Sequence, residues 1–247
     1  MLKEAIEKIV SLATPEIYEI DGDTYTTKAM DRVAPHINQP KVIAFSSLDS
    51  IVAVIKAEIN RAEITKPIFV NIDSHEHVKV FTTYRYDNLA RDDLYVAGAD
   101  LPRPFATWSG HDDAIIMLRS RFVPNNDVAY LLELLSRISS DDSVASEDNG
   151  VSQKVSATVG IALKGFENIR PRVLLAPYRT FLEVGQPESE FILRIKAGSK
   201  DDGTPPQIGI IEADGGAWKL TAKSNIANYF RANLADLVEQ GSVVVTE

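Results

Sequence analysis

The sequence has no cysteine, few glycines and no long apolar run among its 247 residues. The absence of cysteine excludes a disulfide-stapled scaffold and a catalytic cysteine. No segment approaches the roughly 18 apolar residues of a membrane-spanning helix, so we expect no membrane span. Residues 1–16 lack the continuous apolar stretch of a secretory signal, which favours the cytoplasm. The 45% of hydrophobic residues is ordinary for a globular protein and excludes a disordered chain.

Basic residues are also in short supply, since the formal net charge is −9. The excess of acidic residues lies entirely in residues 1–149, whereas basic and acidic residues balance in residues 150–247. Binding to a nucleic-acid backbone needs a basic face. The acidity therefore argues against nucleic-acid binding by residues 1–149. For residues 150–247 the same argument is weaker, because their charges balance.

The motifs of several enzyme classes are missing from the sequence. It contains neither a phosphate-binding P-loop, nor a G-x-G-x-x-G fingerprint, nor the G-x-S-x-G of a hydrolase. These absences favour a protein that is not an enzyme and that holds no cofactor. Catalysis is nevertheless not excluded by the sequence.

His75, Glu76 and His77 form the pattern closest to a metal site. Two imidazoles and a carboxylate are suitable ligands for a divalent ion. On a strand, however, Glu76 points away from the two histidines, and a further ligand would have to come from His111 or Asp112. A polar hairpin turn is the alternative interpretation, and we predict no metal.

Hydrophobic periodicity predicts an α+β fold. Residues 1–138 form an acidic part with N-terminal helices and a small sheet, and residues 139–150 form an acidic linker or loop. Residues 151–247 form an antiparallel β-sheet backed by a C-terminal helix. The helices are predicted at 2–12, 28–34, 48–62, 111–122, a segment capped by Asp127, and a segment capped by Thr221. The strands are predicted at 16–27 and 67–87 (as hairpins), 93–100, 151–163 (one long strand bent near Gly160), 172–178, 190–196, 207–213, 217–220 and 242–246.

Arginines and aromatic residues alternate in residues 170–196. Arginine beside aromatic side chains is a mode of single-stranded nucleic-acid binding. The same arginines can also brace a sheet by pairing with Glu183, Glu188 or Glu190, or contribute to a protein interface. For Arg179, we expect a buried ion pair with Glu183 or Glu188. The candidates for an interface or ligand site in this segment are Arg170, Arg172, Tyr178, Arg179, Phe181, Glu183, Gln186, Glu188 and Arg194.

Glu212 and Asp214 complete the candidate set together with Trp218. Two carboxylates at i and i+2 can hold Mg²⁺ or act as acid and base. Asp214-Gly215-Gly216 is equally what a tight turn requires. Trp218 is interpreted as an anchor in a core or an interface.

Three segments carry a resemblance to a known family. They are Asn149–Gln153, the segment Pro177–Ser189 (PYRTFLEVGQPES), and Glu212–Lys219 (EADGGAWK). Together they resemble the uncharacterised phage and prophage family typified by YfdQ. Its members begin the first segment with D-G-V-S/T-Q, and this sequence has Asn149 in place of the aspartate. The helical segment 112–135 is similar to the family as well.

The resemblance implies a phage-encoded protein in the cytoplasm of the host, from a gene neighbourhood of early recombination and replication functions. It implies no catalytic residues. We therefore expect a non-enzymatic accessory protein that forms a homo-oligomer and contacts a host or phage protein, such as a defence factor. The alternatives are an accessory protein that binds single-stranded nucleic acid, and a metal-dependent enzyme that uses His75 and His77. No membrane partner is expected.

Overall fold

A computed structural model describes residues 2–20, 23–27, 39–86, 89–137, 143–148, 153–159, 162–196 and 205–247. The chain divides into two compact units, Met1–Gln39 and Pro40–Glu247. In the first unit, helix α1 (Leu2–Ala13) is followed by an antiparallel hairpin of β1 (Ile17–Ile20) and β2 (Asp23–Thr26). The predicted helix and hairpin are confirmed here, and the helix predicted at 28–34 lies outside the described residues.

The second unit contains the remaining elements. In chain order they are β3 (Ile43–Phe45), α2 (Leu48–Glu58), β4 (Ile68–Ile72), β5 (His77–Thr82), β6 (Asp93–Gly98), β7 (Trp108–Gly110), α3 (His111–Arg121), α4 (Asn126–Ser136), β8 (Ser143–Asp148), β9 (Gln153–Val159), β10 (Ala162–Ile169), β11 (Arg172–Leu175), β12 (Ser189–Lys196), β13 (Gln207–Glu212), α5 (Trp218–Asn233), α6 (Ala235–Glu239) and β14 (Val243–Thr246).

The first sheet of this unit has five strands in the order β14-β4-β5-β6-β3. The pairs β14–β4 and β3–β6 are parallel, and the other pairs are antiparallel. Alternate residues of β4 are buried and pack with one face of α2 and α5 in a single apolar cluster. Ile51 of α2 and Phe230 of α5 are fully buried in that cluster. We call this sheet with α2 and α5 the five-stranded layer.

The second sheet is antiparallel, with the order β11-β12-β13-β7. Every second residue of β12 from Ser189 to Ile195 is buried. The apolar ones pack in a second cluster with Leu118 of α3 and Leu131 of α4. We call this sheet with α3 and α4 the four-stranded layer.

The α+β class is confirmed, with a C-terminal helix after the strands. The sheet that this helix covers is the five-stranded one, whereas α3 and α4 cover the four-stranded one. Sheet neighbours also come from distant parts of the sequence, since β14 pairs with β4 and β13 pairs with β7. The predicted division at residues 139–150 therefore does not coincide with the division between the compact units.

Of the predicted linker or loop at 139–150, the structure describes Ser143–Asp148, which forms a strand that pairs with β9. The single strand predicted over 151–163 was wrong. Residues Gln153–Val159 and Ala162–Ile169 form two separate strands that pair antiparallel. Strict alternation of side chains cannot distinguish one long strand from the start of a hairpin.

Two predicted helix starts also differ. Asn125 is the N-cap of α4 and its Oδ1 accepts from Val128 N at 2.8 Å, while Asp127 lies inside the first turn. The strand predicted over residues 217–220 is the first turn of α5. Asp214 accepts from Trp218 N at 3.2 Å and from Gly216 N at 2.9 Å, which starts the helix earlier than the predicted cap at Thr221.

None of the helices in the described part of the chain is both long enough and apolar enough to cross a membrane.

Candidate functional site

The segment between β11 and β12, residues 176–188, joins the two layers. Leu175 before it and Phe191 after it lie in the apolar cluster of the four-stranded layer. Phe181 and Val184 within it lie in the cluster of the five-stranded layer. The chain therefore leaves one core, enters the other and returns. We call residues 176–188 the crossing segment.

The side chain of Gln186 closes the crossing segment into a fixed loop. Its Oε1 accepts from the backbone N–H of Arg179 at 2.9 Å and of Thr180 at 3.2 Å. Its Nε2 donates to Phe181 O at 3.0 Å. Gln186 was a candidate for binding, but these bonds give it a structural role, because they satisfy backbone groups that no strand partner reaches.

Three side-chain bonds attach the crossing segment to the five-stranded layer. The carboxylate of Glu183 accepts from Leu48 N at 2.7 Å, at the N-terminus of α2, where backbone N–H groups are free and the helix dipole favours an anion. Thr180 donates to His75 O at 2.5 Å, and Asn225 donates to Gly185 O at 2.8 Å. Two other candidates, Glu183 and Phe181, thus hold the layers together.

A cleft of about 640 Å³ opens beside the crossing segment. This volume is typical of sites for small molecules or short peptide segments. Four of the predicted candidates line it, namely Tyr178, Arg179, Glu212 and Trp218. The other lining residues are His75, Glu76, Leu101, Pro102, Arg103, Pro104, Phe105, Thr107, Arg121, Pro177, Phe191 and Ile210.

Arg179 is the most constrained charged group of the cleft, with only 12% of its side chain exposed. Its guanidinium binds the carboxylate of Glu212, and it also donates to Pro187 O at 3.0 Å and to Ser189 Oγ at 2.7 Å. It lies 3.8 Å from the centre of the Trp218 ring, in a cation–π contact. The sequence suggested Glu183 or Glu188 as its partner, and that pairing was wrong.

Burial lowers the pKa of Arg179, while the hydrogen bond and charge of Glu212 oppose the shift. The guanidinium stays charged, since the pKa of arginine normally lies above 12. Two buried donors in this arrangement, Arg179 Nε and Trp218 Nε1, have no acceptor among the described residues. Two residues that line the cleft therefore each have a buried donor without a hydrogen-bond partner among the described residues.

His75 and His77 do not combine into a metal site. The ring of His75 packs edge-on against Trp218, with centroids 4.7 Å apart, whereas the ring of His77 lies near Gly98 on the neighbouring strand. Burial lowers the pKa of His75, and the negative charge of Glu76 partly opposes this shift. Within the described ranges, no group of three or more His, Asp or Glu side chains could hold a metal ion.

The remaining arginines of the 170–196 segment brace the fold outside the cleft. Arg172 binds both carboxylate oxygens of Glu190, at 2.9 and 3.2 Å, as one interpretation of the sequence predicted. Arg170 pairs with Asp127 at 3.5 Å and stacks on the ring of Tyr130. Arg194 donates to the carbonyl of Leu193. Glu188 accepts from Asn125 at 3.4 Å.

Glu212 and Asp214 have separate roles and do not act as a pair of carboxylates. Glu212 binds Arg179 in the cleft, whereas Asp214 caps α5. Gly215 and Gly216 have φ angles of +64° and +85°, which glycine adopts without strain. The turn interpretation therefore describes Asp214.

Sequence reasoning missed two lining residues of the cleft, Arg103 and Arg121. Arg121 donates through its guanidinium to the carbonyl of Arg103. The signal was the segment Leu101–Phe105 (LPRPF), in which two prolines and an arginine interrupt any periodic pattern. Such a segment carries function more often than a regular element does.

Comparison of the chain with protein-family models, with curated proteins and with solved structures gave no match. The resemblance to the family typified by YfdQ stays a prediction.

Proposed function

We propose that the chain is a phage-encoded accessory protein that is not an enzyme and that acts through contacts with other proteins in the host cytoplasm. The cleft beside the crossing segment is the contact site, where a segment of a host or phage protein binds. The observation that carries this proposal is the composition of the cleft. Proline and aromatic side chains line it together with an Arg179–Glu212 ion pair, in which the side chain of Arg179 is only 12% exposed. Grooves of this kind bind extended segments of partner proteins.

The phage origin rests on the resemblance to the family alone. Two of the three segments that carry this resemblance, Pro177–Ser189 and Glu212–Lys219, contribute lining residues to the cleft. The arginines behind the nucleic-acid alternative bind carboxylates, since Arg170, Arg172 and Arg179 pair with Asp127, Glu190 and Glu212. A neutralised arginine contributes little to phosphate binding. Contact with protein is therefore the better supported function.

Self-association is part of the proposal, and helix α1 supports it. Leu2, Ile6, Ile9 and Val10 follow the spacing of one helix face, and all four are exposed. An exposed apolar face of this size is typical of a surface that a second molecule covers. We propose that a second copy of this chain covers it.

Light scattering after size exclusion tests the oligomer. The unmodified chain is expected at a multiple of the mass of one chain, and Ile9→Glu is expected to give monomers, because it places a charge on the apolar face. Ser11→Glu adds the same charge to the opposite face of α1 and serves as the control. A monomer for the unmodified chain at micromolar concentration contradicts self-association.

Site-specific photo-crosslinking in infected cells tests the contact site. A photoreactive phenylalanine analogue replaces Tyr178 in the cleft or, as a control, Leu174, which is 51% exposed on β11 and does not line the cleft. A discrete adduct is expected only from position 178. The partner identified by mass spectrometry is then purified, and Tyr178→Ala is expected to weaken its binding at least tenfold. Equal labelling at both positions, or unchanged binding, contradicts the proposal.

A further inference from the structure

The charges of the cleft are not balanced within the described residues. Arg179 is neutralised by Glu212, whereas neither Arg103 nor Arg121 forms an ion pair with any described residue. Arg103 is exposed and Arg121 is half-buried, and both line the cleft. The hydrogen bond from the guanidinium of Arg121 to Arg103 O holds one arginine beside the backbone of the other. Two cationic residues that line the cleft are thus neighbours in the fold.

The other ionisable residues that line the cleft contribute less charge. Glu76 is the carboxylate that offsets one of these cations, and it forms no ion pair among the described residues. His75 is neutral near pH 7, because burial lowers its pKa. With Arg179 and Glu212 cancelling, the cleft keeps an excess of one positive charge. A ligand with a negative group complements it.

Two buried N–H donors of residues that line the cleft favour the same kind of ligand. Arg179 Nε and Trp218 Nε1 are buried donors without an acceptor in the described structure, and Trp218 is only 8% exposed. A buried donor without an acceptor costs about 1–3 kcal/mol, so a ligand that supplies acceptor oxygens is favoured.

The walls distinguish a peptide from a nucleotide. Pro102, Pro104 and Pro177 line the cleft together with Phe105 and Phe191. Walls of proline and aromatic rings bind extended peptide backbone, which supplies a carbonyl oxygen at every residue. A single-stranded nucleic acid would need a row of unpaired cations along its backbone, and the described residues of the cleft offer two.

We infer that the cleft binds an extended peptide segment in which an acidic side chain neighbours an apolar one, with the carboxylate held by Arg103 and Arg121. This inference rests on the proposed function, since it names the chemistry of the partner segment. The apolar side chain packs against Phe105, which is only partly buried, whereas Phe191 behind it lies in the core of the four-stranded layer. Carboxylate recognition by two arginines gives charge-assisted hydrogen bonds with defined geometry.

The test uses two blocked dipeptides, acetyl-Phe-Glu-amide and acetyl-Phe-Gln-amide, which differ only in the charged group. Binding to the full chain is followed by NMR through the indole N–H of Trp218, which is distinguished from that of Trp108 with Trp108→Phe. The Glu peptide is expected to shift this signal in the millimolar range and to bind about fivefold more tightly than the Gln peptide.

Variants then locate the carboxylate. Arg121→Gln and Arg103→Gln are each expected to remove the preference for Glu over Gln, while Glu76→Gln is expected to increase it about twofold by removing a repulsive charge. Arg103 is exposed, so its variant reports on binding even if Arg121→Gln unfolds the chain. Addition of 150 mM salt is expected to reduce the preference.

Several results would overturn the inference. Equal affinity for the two peptides, no shift up to about 10 mM, or an unchanged preference in both arginine variants each contradicts it. A short oligothymidylate that displaces the Glu peptide and binds more tightly indicates a nucleic-acid site instead. If the dipeptides fail while the crosslink at position 178 persists, the proposed function stands and only the ligand chemistry is wrong. If both fail, the proposed function fails as well.

Discussion

The two layers of residues 40–247 share an architecture but differ in what their edges carry. The five-stranded layer buries an almost wholly apolar core between its sheet and the helices α2 and α5. The four-stranded layer buries a similar core, but the ends of β12 and β13 carry Ser189 and Glu212, which bind Arg179. The cleft therefore belongs to the side where strands end in polar residues. The five-stranded layer thus anchors the crossing segment through its apolar core, whereas the polar groups that line the cleft lie where the two layers meet.

The anchoring of the crossing segment gives the largest expected effect. Phe181 is 2% exposed and lies in the core of the five-stranded layer. Phe181→Ala is expected to lower the free energy of unfolding by about 3–5 kcal/mol, since it removes a buried ring and leaves a cavity. Urea denaturation measures this loss. Leu182→Ala, at a position 72% exposed, is the control, with a change within about 0.5 kcal/mol. Equal effects would show that the crossing segment is not anchored in that core.

Two ion pairs, Arg179–Glu212 and the more exposed Arg172–Glu190, give the next largest expected difference in stability. Arg179→Gln is expected to lower the free energy of unfolding by about 2 kcal/mol. It leaves Glu212 and Ser189 without their partner and removes the contact with Trp218. Glu212 is 39% exposed, which keeps the cost below that of a fully buried pair. Arg172→Gln breaks an exposed pair with Glu190 and is expected to cost less than about 0.5 kcal/mol. Thermal unfolding of the two variants would contradict this account if Arg172→Gln were the more destabilised.

Backbone packing within the four-stranded layer gives a smaller effect. A Cβ atom at Gly209 would lie 2.7 Å from the ring of Trp108 on β7. Gly209→Ala is therefore expected to destabilise the chain by about 1 kcal/mol, because the indole must shift. At Gly98, in the five-stranded layer, the nearest atom would be the His77 ring at 3.6 Å, an ordinary contact. Gly98→Ala is expected to be neutral, and a loss at Gly98 as large as that at Gly209 would contradict this difference.

The smallest expected effect concerns pH. The pKa of His75 in the folded chain lies below its ordinary value of about 6.5, mainly because of burial. As the pH falls below that value, the unfolded chain takes up a proton before the folded one, so stability decreases until the pH has passed the folded pKa. His75→Gln is expected to reduce this slope, as measured by urea denaturation between pH 7 and pH 5. An unchanged slope would show that the histidine titrates normally.

Local periodicity predicted most of the elements, because it depends on neighbours in sequence. The apolar spacing of α2 and its cap Ser47, whose side chain accepts from Ser50 N, are both visible in the sequence. The neighbours of a strand are not, since β14 pairs with β4 across roughly 175 residues. Because the paired strands are far apart in sequence, neither this pairing nor the helices that cover each sheet could be predicted.

Only part of the candidate site could be predicted from the sequence. Arg179, Glu212, Tyr178 and Trp218 stand out because charged and aromatic residues cluster around tight turns, and the structure brings them together. The partner of Arg179 was assigned wrongly, because Glu212 lies at the end of β13, far from Arg179 in sequence, whereas the expected glutamates are its neighbours in sequence. Arg103 lies in the irregular segment LPRPF and Arg121 at the end of α3, and only the fold places them at the same cleft.

The parallel pairing of β14 with β4 has a consequence for how the chain folds during synthesis. Val243 pairs with Ile68, so one side of β4 keeps unpaired N–H and C=O groups while the ribosome makes the residues between them. An unprotected strand edge next to buried apolar residues is prone to aggregate. Contacts this distant in sequence also slow folding, because a long loop must close before they form. The five-stranded sheet can therefore reach its full width only late, after residues 243–246 have left the ribosome.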